Sequence, residues 1–215
     1  EVIKSNEDQI IDNNENFIVW NKSSGISVQG GTKSKKNLVD IFSKSEIFQG
    51  TKPFSVHRLD KDTSGVLLIA RTEKFRNYFI QQMQERLVKK EYVAVVIGST
   101  LGSFVIEDPI GRDKFNRTKM SIRADGKEAR TYIKLKEKIH NYSVLDISIE
   151  TGRTHQIRVH MTSIGNAIIG DSTYGSKDLR RVIKTESVYL QTIISSLNRQ
   201  ALHAYLIGFD HPTTG

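Results

Sequence analysis

Fifteen residues constrain this chain more than any others: Val56-His57-Arg58-Leu59-Asp60-Lys61-Asp62-Thr63-Ser64-Gly65-Val66-Leu67-Leu68-Ile69-Ala70. Val66 to Ala70 is continuously apolar and bounded by a glycine, the pattern of a strand buried on both faces. Thr63-Ser64-Gly65 supplies turn chemistry immediately before it. A knot of His, Arg and Asp thus stands at the mouth of a buried strand, where unpaired charge is expensive. Such a knot is either a structural ion-pair lock or an active site.

The rest of the chain alternates short strands with a few helices. Phe17 to Trp20 predicts a strand, closed by Asn21-Lys22-Ser23-Ser24-Gly25, and Ile26 to Val28 leads into Gly30-Gly31. No lysine precedes Thr32, so the glycines there are not a phosphate loop. Asn37 to Phe48 predicts a short helix with Leu38, Ile41 and Phe42 on one face. Thr72 is a good N-cap for a helix in which Phe75, Tyr78, Phe79, Gln82 and Met83 recur at helical spacing. That aromatic stripe is a core face, not a binding box. Val88 to Ile97 is a β-branched strand ended by Gly98. Tyr142 to Glu150 alternates, and Thr151-Gly152-Arg153 turns the chain into a helix capped by Thr154 and ended by Gly165. On that helix Ile157, His160, Met161 and Ile164 share a face, with Arg158 at its border. Residues 176 to 200 read as a polar, helix-compatible insertion at the surface.

Composition enters as a bound on partners and compartment. The formal charge is +8, which favours a polyanionic partner through phosphate neutralisation. From Arg112 to Lys138 ten Lys/Arg face four Asp/Glu, interleaved with Phe115 and Tyr132, as in a basic hairpin that tracks phosphates. A solvated two-stranded face has the same pattern. The absence of cysteine removes disulfides and thiolate metal sites and fits a reducing compartment. With no apolar run near the ~20 residues of a membrane span and no signal pattern at its start, the expectation is a cytoplasmic protein without a membrane partner. His155 and His160 are five apart, the wrong interval for two metal ligands on one helix face. Hydrogen bonding or RNA contact suits them better.

His57-Arg58-Leu59-Asp60, two intervening residues and Thr63-Ser64-Gly65 resemble the signature of the RluA-type pseudouridine synthases. The resemblance continues in order through Lys90, Tyr92, Ala94, Val96 and Gly98, then Thr151-Gly152-Arg153-Thr154-His155-Gln156-Ile157-Arg158, Gly170-Asp171 and Ala201-Leu202-His203-Ala204. It covers roughly residues 17 to 213. Ser23 and Gln29 depart from it, standing where the family has proline and histidine. Gly30-Gly31 and the run from Asp62 to Leu68 lean toward the RluC-like branch.

The resemblance implies an α+β fold: a bent, mixed, mainly antiparallel sheet with flanking helices and loops around a central basic cleft. Residues 1–215 would be a single catalytic domain, probed here without the N-terminal S4 domain of that branch. It implies isomerisation of uridine to pseudouridine in large-subunit (23S) ribosomal RNA by a monomer that needs no metal, no nucleotide and no other cofactor. Asp60 would be the catalytic aspartate, and Arg158 would pair with it, since a neighbouring cation keeps a carboxylate ionised despite burial. Tyr92 would stack on the flipped uracil. Arg58 would hold the RNA once the base is extruded, with His57, Arg153 and His155 as further RNA contacts. Two rivals stay open on residues alone: a metal-dependent phosphodiesterase built on His57, Asp60 and Asp62, and a non-catalytic RNA-binding module.

Overall fold

The computed structural model describes residues 9–28, 37–48 and 51–215, and these fall into two compact units. The first comprises residues 1–89 and 204–215, the second residues 90–203. Gln29, Gly30 and Gly31, on which part of the family resemblance rests, lie outside the described residues.

The first unit is built on β1 (Ile10–Asn13), β2 (Phe17–Lys22), β3 (Phe54–Ser55), β4 (Ser64–Ala70) and β11 (Leu202–Gly208, which joins this unit from Ala204). The strands follow the order β1-β2-β4-β11, with β3 also paired to β4. β2 runs antiparallel to β4, Phe17 opposite Ala70 and Lys22 opposite Gly65. As the apolar run requires, Leu67, Leu68, Ile69 and Ala70 are all essentially inaccessible. The strand begins two residues earlier than its apolar run, at Ser64, so Ser64 and Gly65 are strand rather than turn. Gly65 is needed for another reason: its φ is +120°, and a Cβ there would meet the Ala204 carbonyl oxygen of β11 at 2.0 Å.

Helix α1 (Leu38–Ser43) is capped by the Asn37 side chain on the Asp40 amide and buries Leu38 and Phe42, and a 3₁₀ turn (Glu46–Phe48) follows it. Helix α2 (Glu73–Gln84) is capped by Thr72, whose hydroxyl accepts from the Phe75 amide at 3.1 Å. Its stripe buries Phe75 and Phe79 against Phe17, Leu68, Ala70 and Val88. The rings of Phe17, Phe75, Phe79 and Phe209 stand 4.8 to 6.1 Å apart in tilted and edge-on pairs, the arrangement aromatic quadrupoles favour. Buried Gln82 accepts from the Asp210 amide and donates to the Asp210 carbonyl, both at 3.1 Å.

The second unit contains β5 (Lys89–Ile97), β6 (Ser103–Ile106), β9 (Thr131–Ile139) and β10 (Tyr142–Ile149), in the order β5-β10-β9-β6 with neighbouring strands antiparallel. A separate hairpin joins β7 (Ile110–Arg112) to β8 (Met120–Ile122). This is the basic stretch, and its tip presents Phe115 at 99% exposure. Helix α3 (Gln156–Ser163) is buried on nearly every side, Arg158 included, whereas Ile164 beyond it is exposed. The insertion forms α4 (Ser176–Ile183) and α5 (Val188–Ser196), which bury Leu179 and Ile194 against Ile97, Tyr142, Ala167 and Ile169. No helix among the described residues is long and apolar enough to cross a membrane.

Candidate active site

In the first unit, the knot is a turn packed into the end of β4. Leu59 and Thr63 are buried, Asp60 is half-buried and Arg58 is exposed. The Thr63 amide donates to the Asp60 carbonyl at 3.1 Å, closing the turn that presents Asp60. Sequence reasoning missed the residue beneath it. Lys22, at the end of β2, is fully buried, and its ammonium donates to the carbonyls of Ser23 and Ile26 at 3.0 Å and Lys61 at 2.9 Å. The Gly25 amide donates to the same Lys61 carbonyl at 2.9 Å. One buried cation therefore ties the loop after β2 to the turn carrying Asp60. The signal was phase: Lys22 follows Ile18 and Trp20 at strand period, on the face those two residues bury, so its stem lies on that face.

His57 is expected as an RNA contact and sits in that turn. Its Nε2 accepts the Leu68 amide hydrogen at 2.9 Å, and its ring lies 6.0 Å from that of Phe79. That bond occupies the lone pair a metal would use and leaves the proton on Nδ1. Among the described residues no group of three or more His, Cys, Asp or Glu side chains is placed to hold a metal ion.

In the second unit, Tyr92 stands on β5 opposite Ile147 of β10 and is 7% exposed. Arg158 is more deeply set than a border position suggests. Its Nε and Nη2 donate to the two carboxylate oxygens of Asp171 at 2.7 and 2.9 Å, with both side chains buried. Asp171 also accepts the amides of Thr173 and Tyr174 at 2.9 and 3.1 Å, and the Tyr174 ring lies 5.0 Å from the Arg158 guanidinium carbon. The Tyr174 hydroxyl accepts from the Met120 amide at 2.9 Å and meets His155 Nδ1 at 2.7 Å. Lys119 donates to the Thr173 carbonyl at 2.8 Å. The basic hairpin is thereby anchored to the arginine of α3.

Thr154, expected to cap α3, stands one residue too early. The position before the helix belongs to His155, in the left-handed region at φ 57° and without a side-chain cap. Gln156 ties the turn before the helix instead: its carboxamide oxygen accepts the Arg153 amide at 3.0 Å and the Thr151 hydroxyl at 2.8 Å. Arg153 is half-buried, and its Nε donates to the Glu128 carbonyl at 2.7 Å. His160 is wholly structural. Its Nε2 donates to the Asp108 carbonyl at 2.9 Å, so Nδ1 accepts from the Thr131 hydroxyl at 2.8 Å. Burial pushes its pKa below the ordinary value.

The sites thus divide as follows: Asp60, Arg58 and His57 belong to the first unit, and Tyr92, Arg153, His155 and Arg158 to the second. A partly exposed carboxylate on a rigid turn can attack or abstract. A buried tyrosine can stack on a planar ring, and a basic hairpin tipped by an aromatic can follow a single-stranded nucleic acid.

Comparison with known proteins bears on the family of the chain. Residues 16–163 match a family described as RNA pseudouridylate synthase. Ribosomal large subunit pseudouridine synthase D of Vibrio cholerae is 37% identical over 209 residues, covering 96% of this chain and 64% of that protein. The protein of the same name from Xanthomonas campestris is 36% identical over 207 residues, covering 94% and 61%. The chain thus spans less than two thirds of the length of these relatives. Human RNA pseudouridylate synthase domain containing 4 shares its fold, with a TM-score of 0.77 at 22% identity over 97% of this chain and 86% of that one. The fold is accordingly the α+β pseudouridine synthase fold with a mostly antiparallel sheet, and the chain belongs to the RNA pseudouridylate synthase family, of the RluA type.

Proposed function

We propose that this chain isomerises uridine to pseudouridine in large-subunit ribosomal RNA, in the cytoplasm, with Asp60 as the catalytic carboxylate. The observation that carries the proposal is the Asp60 turn itself, a half-buried carboxylate at the head of a strand buried from Leu67 to Ala70, its turn held by Lys22 through the Lys61 carbonyl. In the reaction the N1–C1′ bond breaks, C5 bonds to C1′, the C5 hydrogen leaves as a proton and N1 takes one up. The sum is an isomerisation and consumes no co-reactant. Arg158, whose Nε edge is held by both carboxylate oxygens of Asp171, corresponds to the arginine the family assigns to its catalytic aspartate. Tyr92 stacks on the extruded uracil, and Arg58 helps to hold the RNA once the base has left the stack. A phenol titrates near ~10, so Tyr92 is a better platform than base at neutral pH.

The relatives' names are the support for ribosomal RNA as the substrate. The branch is the finer part of the proposal. The motifs lean toward C, and the D name of these relatives weighs against it. The test is tritium release from unmodified large-subunit ribosomal RNA labelled at uracil C5, with Asp60→Asn beside the parent. Release by the parent and none by the variant supports the proposal. Tight RNA binding without release from either, even in a chain extended to the relatives' full length, leaves a binding module. Release that survives in Asp60→Asn removes the aspartate from its role.

A further inference from the structure

Lys90 is the second residue of β5, on the same face as Tyr92, and only 6% of it is exposed. Its ammonium donates to one acceptor, the Glu150 carbonyl, at a long 3.4 Å. Among the described residues no carboxylate pairs with it. The Glu150 carboxyl group, the nearest candidate along the chain, turns instead to Arg130 and the Tyr132 hydroxyl. The charge that bears on Lys90 is that of Arg153, which repels it, and burial together with this repulsion brings its pKa down to about 8. Burying a cation beside another cation without a counter-charge is costly. The arrangement is relieved when an anion arrives from outside.

The turn between β10 and α3 leaves the way open. Gly152 is exposed, and a Cβ built on it would stand 3.9 Å from the Lys90 ammonium nitrogen. Its φ is not in the left-handed region, so the backbone does not demand a glycine here. What the missing side chain provides is an uncovered approach to the ammonium. Arg153 flanks that approach, oriented by its Nε bond to Glu128, with its terminal nitrogens unpartnered among the described residues.

We propose that Lys90, Gly152 and Arg153 form a cradle for one phosphodiester group of bound RNA. The inference rests on the function proposed above, and it names the contact that seats the strand beside the reacting base. Alternate residues on one strand face are ~7 Å apart, the distance from a stacked base to its own or a neighbouring phosphate. Binding of the phosphodiester monoanion raises the affinity of Lys90 for its proton, so the cradle takes up a proton as it fills.

The experiment is calorimetric titration of unmodified large-subunit ribosomal RNA fragments into the parent, Lys90→Met, Lys90→Arg and Gly152→Leu at pH 8.5. Buffers of different ionisation enthalpy report protons taken up, and a salt series reports the slope of log K against log salt. The parent takes up protons on binding. Lys90→Met takes up fewer, binds about tenfold more weakly, and has a salt slope shallower by about 1. Lys90→Arg keeps the slope and loses the same uptake. Gly152→Leu, which covers the ammonium without removing it, weakens binding as Lys90→Met does. Undiminished uptake and slope in Lys90→Met overturn the cradle. Equal uptake with inorganic phosphate alone also overturns it, since the site would then take free phosphate. A parent showing these signatures without tritium release loses the catalytic proposal and keeps the cradle. A parent with release and an indifferent Lys90→Met loses the cradle alone.

Discussion

The ammonium of Lys22 lies 2.9 Å from the carbonyl oxygen of Lys61, thirty-nine positions away in sequence and adjacent to Asp60. Through that bond the end of one strand fixes the turn at the head of another. Replacing Lys22 by Met keeps the buried stem and removes all three hydrogen bonds. Each abandoned carbonyl bears its own desolvation penalty, so a loss of about 2–4 kcal/mol is expected in urea unfolding. Isomerase activity should fall further than stability explains, because the turn carrying Asp60 loses its tether.

Arg158 and Asp171 form a second buried clamp. Asp171→Ala deprives a buried guanidinium of its bidentate carboxylate and frees two amides of the following turn. A destabilisation of about 3–5 kcal/mol is expected by chemical denaturation. A variant as stable as the parent would mean that another carboxylate takes over the arginine.

Gly65→Ala should be among the most damaging single substitutions in the chain. The new methyl group would lie 2.0 Å from the Ala204 carbonyl oxygen, at a φ of +120°. β4 or β11 must shift to admit it, and both strands are hydrogen-bonded. Insoluble protein, or a melting temperature lowered by more than about 10 °C, is the expected outcome.

His160 gives stability a pH dependence of definite sign. Its folded-state pKa lies below 6.5 because burial disfavours the charged ring. The unfolded chain therefore binds the proton more readily, and the contribution is complete above pH ~6.5 and lost as pH falls below it. His203, also lowered chiefly by burial, acts in the same direction. Urea midpoints of the parent at pH 5 and pH 7.5 should differ more than those of His160→Gln, by up to about 1.4 kcal/mol per pH unit.

Phe115 tests the hairpin without touching the fold. It is 99% exposed, so Phe115→Ser should leave the melting temperature unchanged. If the hairpin follows RNA, binding should weaken by about 1–3 kcal/mol, the worth of one stacked base.

Period and punctuation made much of this fold legible. The apolar run from Val66 to Ala70, the aromatic stripe of α2 behind Thr72, and the alternation of β5 and β10 each follow from local chemistry. What escaped depends on distant partners. Lys22 looked like loop, because the carbonyl that completes its shell arrives from Lys61. Gly65 looked like a turn glycine, because only the approach of Ala204 reveals why a side chain is excluded. Thr154 looked like a cap, because only the left-handed backbone of His155 shows that the helix starts one residue later. Arg158 was found by resemblance, yet Asp171 as its partner required a loop folding back thirteen positions later. Asp60 and Tyr92 were named by motif; neither burial nor spacing alone would have singled them out.

The first unit is discontinuous in sequence, and this has a consequence for its biogenesis. Tyr78 and Gln82 of α2 bond to Asp210, 132 and 128 positions away, and Gly65 is shaped around Ala204. A ribosome releasing the chain from its N-terminus exposes Phe17, Phe75 and Phe79 long before Phe209 can cover them. That half of the molecule must wait, partly unsheltered, while more than a hundred further residues are made. Its aromatic cluster is the surface a nascent-chain chaperone would meet, and truncation just before residue 204 would leave the wait permanent.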